Sequence, residues 1–214
     1  MEKPPILRVL RILSQQERTT MLGRLGEKLD SFKVLIATIL SARAKDEVTE
    51  LIAQELFKKY PDCNSLATAK PSDVKKIIKR IGFYNTKTKN IMAAAAMVRD
   101  QFNGQVPQTY EQLMQLPGVG RKVAGCVLVY SFDQDAIPVD THVHRISNRL
   151  GWVRTKTPEK TEEVLRKIIP RAQWMIVNDT LVHHGKTICA PISPFCSKCP
   201  VEQYCKKVGV TTKR

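Results

Sequence analysis

Four cysteines near the C-terminal end constrain this chain more than any other feature of its sequence. Cys189, Cys196, Cys199 and Cys205 follow the spacing C-x6-C-x2-C-x5-C, and the residues between them include three prolines and no glycine. Such a segment is typical of a turn-rich loop wrapped round something, rather than of a regular helix or strand. Two disulfides, a zinc site and an iron–sulfur cluster are the competing interpretations.

The context of these cysteines favours the iron–sulfur cluster. The first residues, MEKPP, are followed by nothing that resembles the apolar core of a secretory signal. In a chain that stays in a reducing compartment, clustered cysteines more often bind metal than form disulfides. Zinc sites usually contain two Cys-x2–4-Cys pairs, whereas a single tight pair with wider gaps suits a cluster with four thiolate ligands.

The charge of the chain predicts a polyanionic partner. Its 214 residues include 35 lysines and arginines against 20 aspartates and glutamates, a formal net charge of +15. Nucleic acid is the commonest partner of such a protein, although a merely basic protein is the alternative. A hydrophobic share of 43% excludes general disorder, and the longest apolar stretch, 123–132, is too short for a membrane span. We therefore expect no membrane association and a cytoplasmic, prokaryote-like protein at the nucleoid.

Helical periodicity predicts an all-α fold. Apolar residues recur at helical spacing, alternating strand patterns are nearly absent, and prolines and glycines punctuate the segments. The helices expected on this basis include the ranges 32–42, 46–60, 72–81, 86–102, 109–116 and 157–170.

A second motif, LPGVGRKVA at 116–124, suits DNA binding. Proline and two glycines make a tight turn, and the backbone N–H groups at the start of the next helix can bind a phosphate. Glycine at Gly118 and Gly120 lets a DNA strand approach the backbone closely. A bare Gly-x-Gly is more often an ordinary connector, but the basic pair Arg121–Lys122 that follows favours a helix-hairpin-helix.

The presence of Lys122 suggests a catalytic role for Asp140. An aspartate before HVHR at 142–145 could simply cap a helix. Paired with Lys122 at a DNA-binding turn, it suits a different chemistry. A neutral amine can attack the sugar carbon that bears a damaged base, form a Schiff base and cleave the strand by elimination. The carboxylate would then stabilise the developing sugar cation or transfer protons.

Together these motifs make the chain similar to endonuclease III, a bifunctional branch of the helix-hairpin-helix DNA glycosylases. LPGVGRKVA, VDTHVHR at 139–145 and the cysteine run carry this resemblance, which extends from about Leu22 to Lys207. It implies a six-helix barrel domain at 24–134 that contains the hairpin. It also implies a second helical domain, 1–23 with 135–214, that carries a [4Fe–4S] cluster on the four cysteines.

The resemblance also implies roles for individual residues. Lys122 matches the nucleophile and Asp140 the catalytic aspartate of the family. The residues expected to contact DNA are Gly118, Val119, Gly120, Arg121, Arg43, Phe83 and His142.

The sequence departs from the family pattern at three places. Arg43 stands where glutamine is typical and Phe83 where leucine is common, in two loops whose side chains fill the gap left by a flipped nucleotide. Either side chain could instead turn elsewhere, Arg43 to a phosphate and Phe83 back to the core. The loop between Cys189 and Cys196, APISPF, lacks the positive charge of its relatives. In the family this loop contacts DNA phosphates, and we expect part of that role to pass to Lys198, Lys206 and Lys207.

The resemblance implies a monomeric enzyme that excises oxidised pyrimidines from double-stranded DNA and cleaves abasic sites by β-elimination. A mismatch uracil/thymine or adenine glycosylase of the same superfamily is the alternative enzyme. A non-catalytic iron–sulfur DNA-binding protein is the alternative from another class, although binding alone requires neither Lys122 nor Asp140.

Overall fold

The computed structural model describes residues 5–15 and 30–214. The expected domain boundary at 23/24, the start of the resemblance at Leu22 and the first four residues lie outside these ranges. Eleven α-helices are found in the described residues: α1 (Ile6–Ser14), α2 (Ser31–Ser41), α3 (Asp46–Lys59), α4 (Cys63–Ala67), α5 (Pro71–Ile78), α6 (Tyr84–Gln101), α7 (Tyr110–Leu113), α8 (Arg121–Phe132), α9 (Thr141–Leu150), α10 (Pro158–Ile168) and α11 (Trp174–Thr187).

The all-α prediction is confirmed for this part of the chain. Besides the α-helices, residues 5–15 and 30–214 form three short 3-10 helices, at Arg171–Gln173, Cys196–Lys198 and Glu202–Tyr204, and no strand. None of the helices in these two ranges is long and apolar enough to cross a bilayer. The chain divides into two compact units, Met21–Gln134 and Met1–Thr20 with Asp135–Arg214.

Helix α2 forms the centre of the Met21–Gln134 unit. Asp30 begins it by accepting a hydrogen bond from the N–H of Lys33 at 2.9 Å, which satisfies one of the free donors of the first turn. From Val34 to Leu40 every side chain is buried, and α2 packs against α3, α6 and α8. The apolar run 32–42 therefore forms the core helix that the sequence predicts. The packing of α2 against its neighbours also fixes the position of its C-terminus.

The second unit has its own core, built by α1 and by helices α9 to α11. Leu10, Val143, Leu165 and Leu181 are among its buried residues. Thr157 caps α10 by accepting from the N–H of Lys160 at 3.3 Å, with Pro158 as the first helical residue, as the sequence predicts. The last turn of α11 leads into the loop that contains the four cysteines.

Several predicted helix ends differ from the structure. Helix α5 ends at Ile78 rather than at Ile81, and α10 ends at Ile168 rather than at Pro170. Helix α6 begins at Tyr84 rather than at Thr86, because Phe83 adopts a left-handed conformation (φ +59°) that reverses the chain just before it. Helix α7 ends at Leu113 rather than near Leu116, because tight i→i+3 turns close its end, with the N–H of Leu116 bonded to the carbonyl of Leu113 at 3.1 Å.

Candidate active site and cysteine cavity

The two glycines of the hairpin have different structural roles. Gly118 is left-handed (φ +83°), and a Cβ on it would lie 2.9 Å from Cβ of Asn90 on α6. Gly120 has an ordinary φ of −103°, and nothing lies within 4 Å of the position that its Cβ would occupy. Gly118 is therefore required by the fold, whereas Gly120 leaves open space at the start of α8.

This open space lies at a helix N-terminus suited to an anion. No side chain caps α8 at Gly120, and its first turn contains no acidic residue. Val119 is buried, and its N–H bonds to the carbonyl of Leu116 at 3.0 Å, so the turn is anchored to the fold. The first-turn amides and the helix dipole both favour negative charge at this end.

Arg121 and Lys122 occupy the first turn of α8. The hydroxyl of Tyr110 donates to the carbonyl of Arg121 at 3.3 Å, and the Arg121 guanidinium lies 5.6 Å from the centre of the Tyr110 ring. This contact joins α7 to α8 across the hairpin. Lys122 is half-buried and lies two residues after Gly120 in the chain.

Asp140 caps helix α9. Its Oδ1 accepts from the N–H of His142 at 2.8 Å and of Val143 at 2.9 Å, so the capping role considered from the sequence is observed. The two bonds hold a half-buried carboxylate in one orientation. The cap at Oδ1 is compatible with a catalytic role for the same residue.

His142 lies against the end of α11. Its Nδ1 is 3.1 Å from Nη2 of Arg145, which also donates to the carbonyls of Gly185 at 3.2 Å and Cys189 at 2.9 Å. A Cβ on Gly185 would lie 2.5 Å from that same Nδ1, so glycine allows α11 to approach α9 here. His142 and the beginning of the cysteine loop thus share one arginine.

The structure brings Arg43 and Phe83 together, although forty residues separate them in the chain. The Arg43 guanidinium lies 5.8 Å from the centre of the Phe83 ring, and the Phe83 side chain is 63% exposed. Phe83 therefore does not fold back onto the core. Both residues are left-handed, with φ +54° and +59°, a costly conformation for residues with a Cβ.

Sequence reasoning gave no individual role to Lys87, which contacts both of these loops. Its ammonium donates to the carbonyls of Leu40 at 2.8 Å and Ala42 at 2.7 Å, and only 6% of the residue is exposed. Burial lowers the pKa of Lys87 to about 8. The sequence does contain a signal, because Lys87 lies on the buried stripe of α6 with Ile91 and Val98 at helical spacing.

The four cysteines of the C-terminal run line one cavity in the second unit. The cavity is partly open to solvent, and Leu150, Ile188 and Val210 are among its apolar lining residues. Burial raises the pKa of the Cys199 thiol to about 11, and the nearby thiols of the run act in the same direction. A bound cation would offset this effect of burial and favour the thiolate form of Cys199.

Hydrogen-bond donors surround the thiols. Nη1 of Arg149 is 3.4 Å from Sγ of Cys189, and the N–H of Lys207 donates to Sγ of Cys205 at 3.4 Å. Nε2 of the buried His184 is 3.7 Å from Sγ of Cys199. Arg149 also donates to the carbonyls of Ala190 at 2.7 Å and Pro191 at 2.6 Å, and so holds the loop itself.

The chemistry of this cavity is compatible with an iron–sulfur cluster. Within residues 5–15 and 30–214, no group of three or more Cys, His, Asp or Glu side chains is arranged to hold a metal ion. Four thiols around one cavity, with donors to Cys189 and Cys205 and the His184 ring beside Cys199, fit the thiolate ligands and surrounding hydrogen bonds of an iron–sulfur centre.

A positively charged side chain from the C-terminal end of the sequence contacts the uncharged cysteine loop. The guanidinium of Arg214 lies 3.9 Å from the centre of the Phe195 ring, and its Nε donates to the carbonyl of Ser193 at 3.0 Å. Lys198 is exposed beside the same ring, at 5.9 Å. Lys207, by contrast, pairs with Glu202 at 2.7 Å. Arg214 was not foreseen, because only folding brings the end of the sequence to this loop.

Comparisons with known proteins agree with this geometry. Residues 36–171 match the family model described as HhH-GPD superfamily base excision DNA repair protein. Endonuclease III of Thermotoga maritima is 45% identical over 180 residues, which cover 84% of this chain and 84% of that protein. A solved structure of a trapped endonuclease III–DNA covalent intermediate, an estranged-adenine complex, has a TM-score of 0.88 and 34% identity, and the match covers 97% of both chains. A thermostable thymine-DNA glycosylase shares the fold, with a TM-score of 0.83 and 24% identity over 94% of each chain.

Proposed function

The chain belongs to the endonuclease III family within the HhH-GPD superfamily, and from that premise we propose how its residues act on DNA. It is a DNA glycosylase and lyase of base excision repair, and it binds DNA. What remains to be assigned is the damaged base, the residue that performs each step and the cofactor.

Lys122 is the nucleophile in this proposal. Its neutral amine attacks C1′ of the damaged nucleotide, the C1′–N bond breaks, and the base leaves with its bonding electrons and takes up a proton. The sugar ring opens to a Schiff base between Nζ and C1′. Loss of a C2′ proton then expels the 3′ phosphate, and water releases Lys122 from the product. The position of Lys122 at the hairpin supports this role, as does the covalent DNA intermediate of the similar endonuclease III.

Asp140 assists the attack in this scheme. The carboxylate stabilises the positive charge that develops on the sugar as the base departs, and it accepts the proton that the attacking amine loses. The two backbone N–H groups that hold Oδ1 support the assignment, because a charge-stabilising group must be oriented before the reaction begins.

The hairpin holds the DNA backbone. The amides at the start of α8 bind a phosphate next to Gly120, and Gly118 and Val119 keep the turn in the shape that presents them. Arg121 adds positive charge at the same place, and His142 contacts the damaged strand. The open space at Gly120 and the absence of any side-chain cap on α8 carry this part of the proposal.

Arg43 and Phe83 fill the gap that remains when the damaged nucleotide is flipped out. Their contact at 5.8 Å and the exposure of the Phe83 ring support a joint wedge. An aromatic ring can stack on a neighbouring base pair, while a guanidinium can hydrogen-bond the orphaned base.

The substrates are oxidised pyrimidines in double-stranded DNA and abasic sites, and the enzyme acts as a monomer.

Cys189, Cys196, Cys199 and Cys205 hold a [4Fe–4S] cluster. When bound, the cluster supplies a rigid core for the loop 189–205 and takes no part in base removal. The cavity that these thiols line and the donors from Arg149 and Lys207 support this assignment. The family is one in which such a cluster is expected.

Borohydride trapping on defined duplexes tests the proposed function. Oligonucleotides carrying thymine glycol, a uracil mismatch, an adenine mismatch or an abasic site are incubated with wild-type protein and with Lys122→Gln. We expect covalent adducts of the wild type with thymine glycol and abasic DNA, and none with the variant. Excision only at mismatches would point to the alternative glycosylases, and binding without excision or adduct to a non-catalytic protein.

A further inference from the structure

A buried lysine connects the two loops that carry Arg43 and Phe83. At the C-terminus of α2, the carbonyls of Leu40 and Ala42 lack partners within the helix. The ammonium of Lys87 donates a hydrogen bond to each of them. Ala42 directly precedes Arg43 in the chain. The positive charge also suits this end of the helix, where the dipole is negative.

The same residue holds the other loop through its backbone. The N–H of Lys87 donates to the carbonyl of Phe83 at 3.0 Å, which closes the first turn of α6. A Cβ on the preceding residue, Gly82, would lie 3.8 Å from the carbonyl oxygen of Arg43, so the two backbones are already in close proximity. Lys87 therefore bonds to the residue before Arg43 and to Phe83 itself.

The conformation of the two loops requires such support. Arg43 and Phe83 are both left-handed without being glycine, and each such residue costs about 1–2 kcal/mol. Strain of this kind persists only where the surroundings determine it. The contact between the guanidinium and the ring is largely exposed and contributes only weakly. The buried hydrogen bonds of Lys87 are the strongest constraint among the described contacts of these loops.

We propose that Lys87 is a positioning residue that locks the Arg43 and Phe83 loops into one preformed wedge. This inference rests on the gap-filling role of Arg43 and Phe83 proposed above. Lys87 does not touch DNA. It determines whether the wedge is formed before the nucleotide is flipped, so its loss should slow extrusion and spare the chemistry that follows.

Comparing a paired lesion with an unpaired one separates extrusion from chemistry. Thymine glycol is placed either in a fully paired duplex or in a bubble where it is already unstacked, and single-turnover excision is measured for each. For Lys87→Met we expect a loss of about tenfold to a hundredfold on the paired substrate, with a change of less than about twofold in the bubble. Lys76→Met removes an exposed lysine of α5 in the same unit and should leave both rates unchanged.

A second background makes the result decisive. In Arg43→Ala/Phe83→Ala, which lacks the wedge, adding Lys87→Met should cause no further loss on the paired duplex. Equal losses on both substrates, or the same loss with and without the wedge, would overturn the role of Lys87.

Two further outcomes remain distinguishable. If Arg43→Ala/Phe83→Ala excises as the wild type does, the gap-filling role fails and the positioning role with it, whatever Lys87→Met does. If Lys87→Met does not accumulate as folded protein, Lys87→Gln is measured in the same way. Its shorter side chain keeps N–H donors but cannot reach both carbonyls, and it should show the same selective loss in a milder form.

Discussion

The two glycines of the hairpin should separate stability from DNA binding. Gly118→Ala places a Cβ on a residue with φ +83°, 2.9 Å from Cβ of Asn90. The left-handed conformation costs about 1–2 kcal/mol for alanine, and the overpacking adds about 1–3 kcal/mol. We expect the free energy of unfolding to fall by about 2–5 kcal/mol, a decrease in melting temperature of about 4–20 °C for a chain of this size.

Gly120→Ala is the matched control for this loss. Its φ of −103° suits alanine and its Cβ meets no atom, so the free energy of unfolding should change by less than about 1 kcal/mol. The new methyl group nevertheless occupies the space that a phosphate needs, and DNA affinity should fall by about tenfold or more.

Thermal unfolding and fluorescence anisotropy with a labelled duplex measure the two effects. Each variant is compared with the wild type at one salt concentration, because phosphate contacts depend on salt. If Gly120→Ala lost as much stability as Gly118→Ala, the structural distinction between the glycines would be refuted. Unchanged DNA affinity of Gly120→Ala would refute a phosphate at the start of α8.

Three further predictions concern single side chains. Asp140→Asn keeps an acceptor for the two N–H groups of α9, so its free energy of unfolding should stay within about 0.5 kcal/mol of the wild-type value while excision is lost. Asp140→Ala should also lose excision, and its free energy of unfolding should fall by about 1 kcal/mol. A stable, active Asp140→Asn would contradict the catalytic role. Arg149→Met removes the hydrogen-bond donors to Cys189 and to the cysteine loop, so the iron content per chain should fall. Arg154→Met, at an exposed arginine, is the control and should keep the wild-type iron content. Equal iron content in the two variants would contradict the role of Arg149. Burial lowers the pKa of Lys87 from 10.5 to about 8, so between these values only the unfolded state keeps the proton. The stability of the wild type relative to Lys87→Met should therefore rise over that pH range, by at most about 3 kcal/mol, and a flat difference in urea unfolding would contradict the shift.

Local patterns in the sequence predicted those parts of the structure that local interactions determine. The apolar run of α2, the cap of Asp140 on α9 and the tight turn at Gly118 each follow from residues adjacent in the chain. Proline and glycine restrict the backbone directly, and the N–H groups of a first turn need an acceptor close by. These features required no knowledge of the rest of the fold.

The contacts that the sequence did not reveal are non-local. Lys87 finds its acceptors on α2, more than forty residues earlier, and a buried lysine contradicts the usual preference of that residue for solvent. Arg214 reaches the Phe195 ring only because the last residues return to the cysteine loop. The pairing of Arg43 with Phe83 likewise depends on where α2 ends and α6 begins. In each case packing, not spacing, brings the groups together.

The most direct test of the proposed chemistry locates the covalent bond to DNA. Wild-type protein is trapped with borohydride on an abasic duplex, digested with protease and nuclease, and the peptide that carries the sugar remnant is sequenced by mass spectrometry. The account predicts one modified residue, Lys122, in the first turn of α8. A remnant on any other amine, or an adduct that persists at full yield in Lys122→Gln, would contradict it.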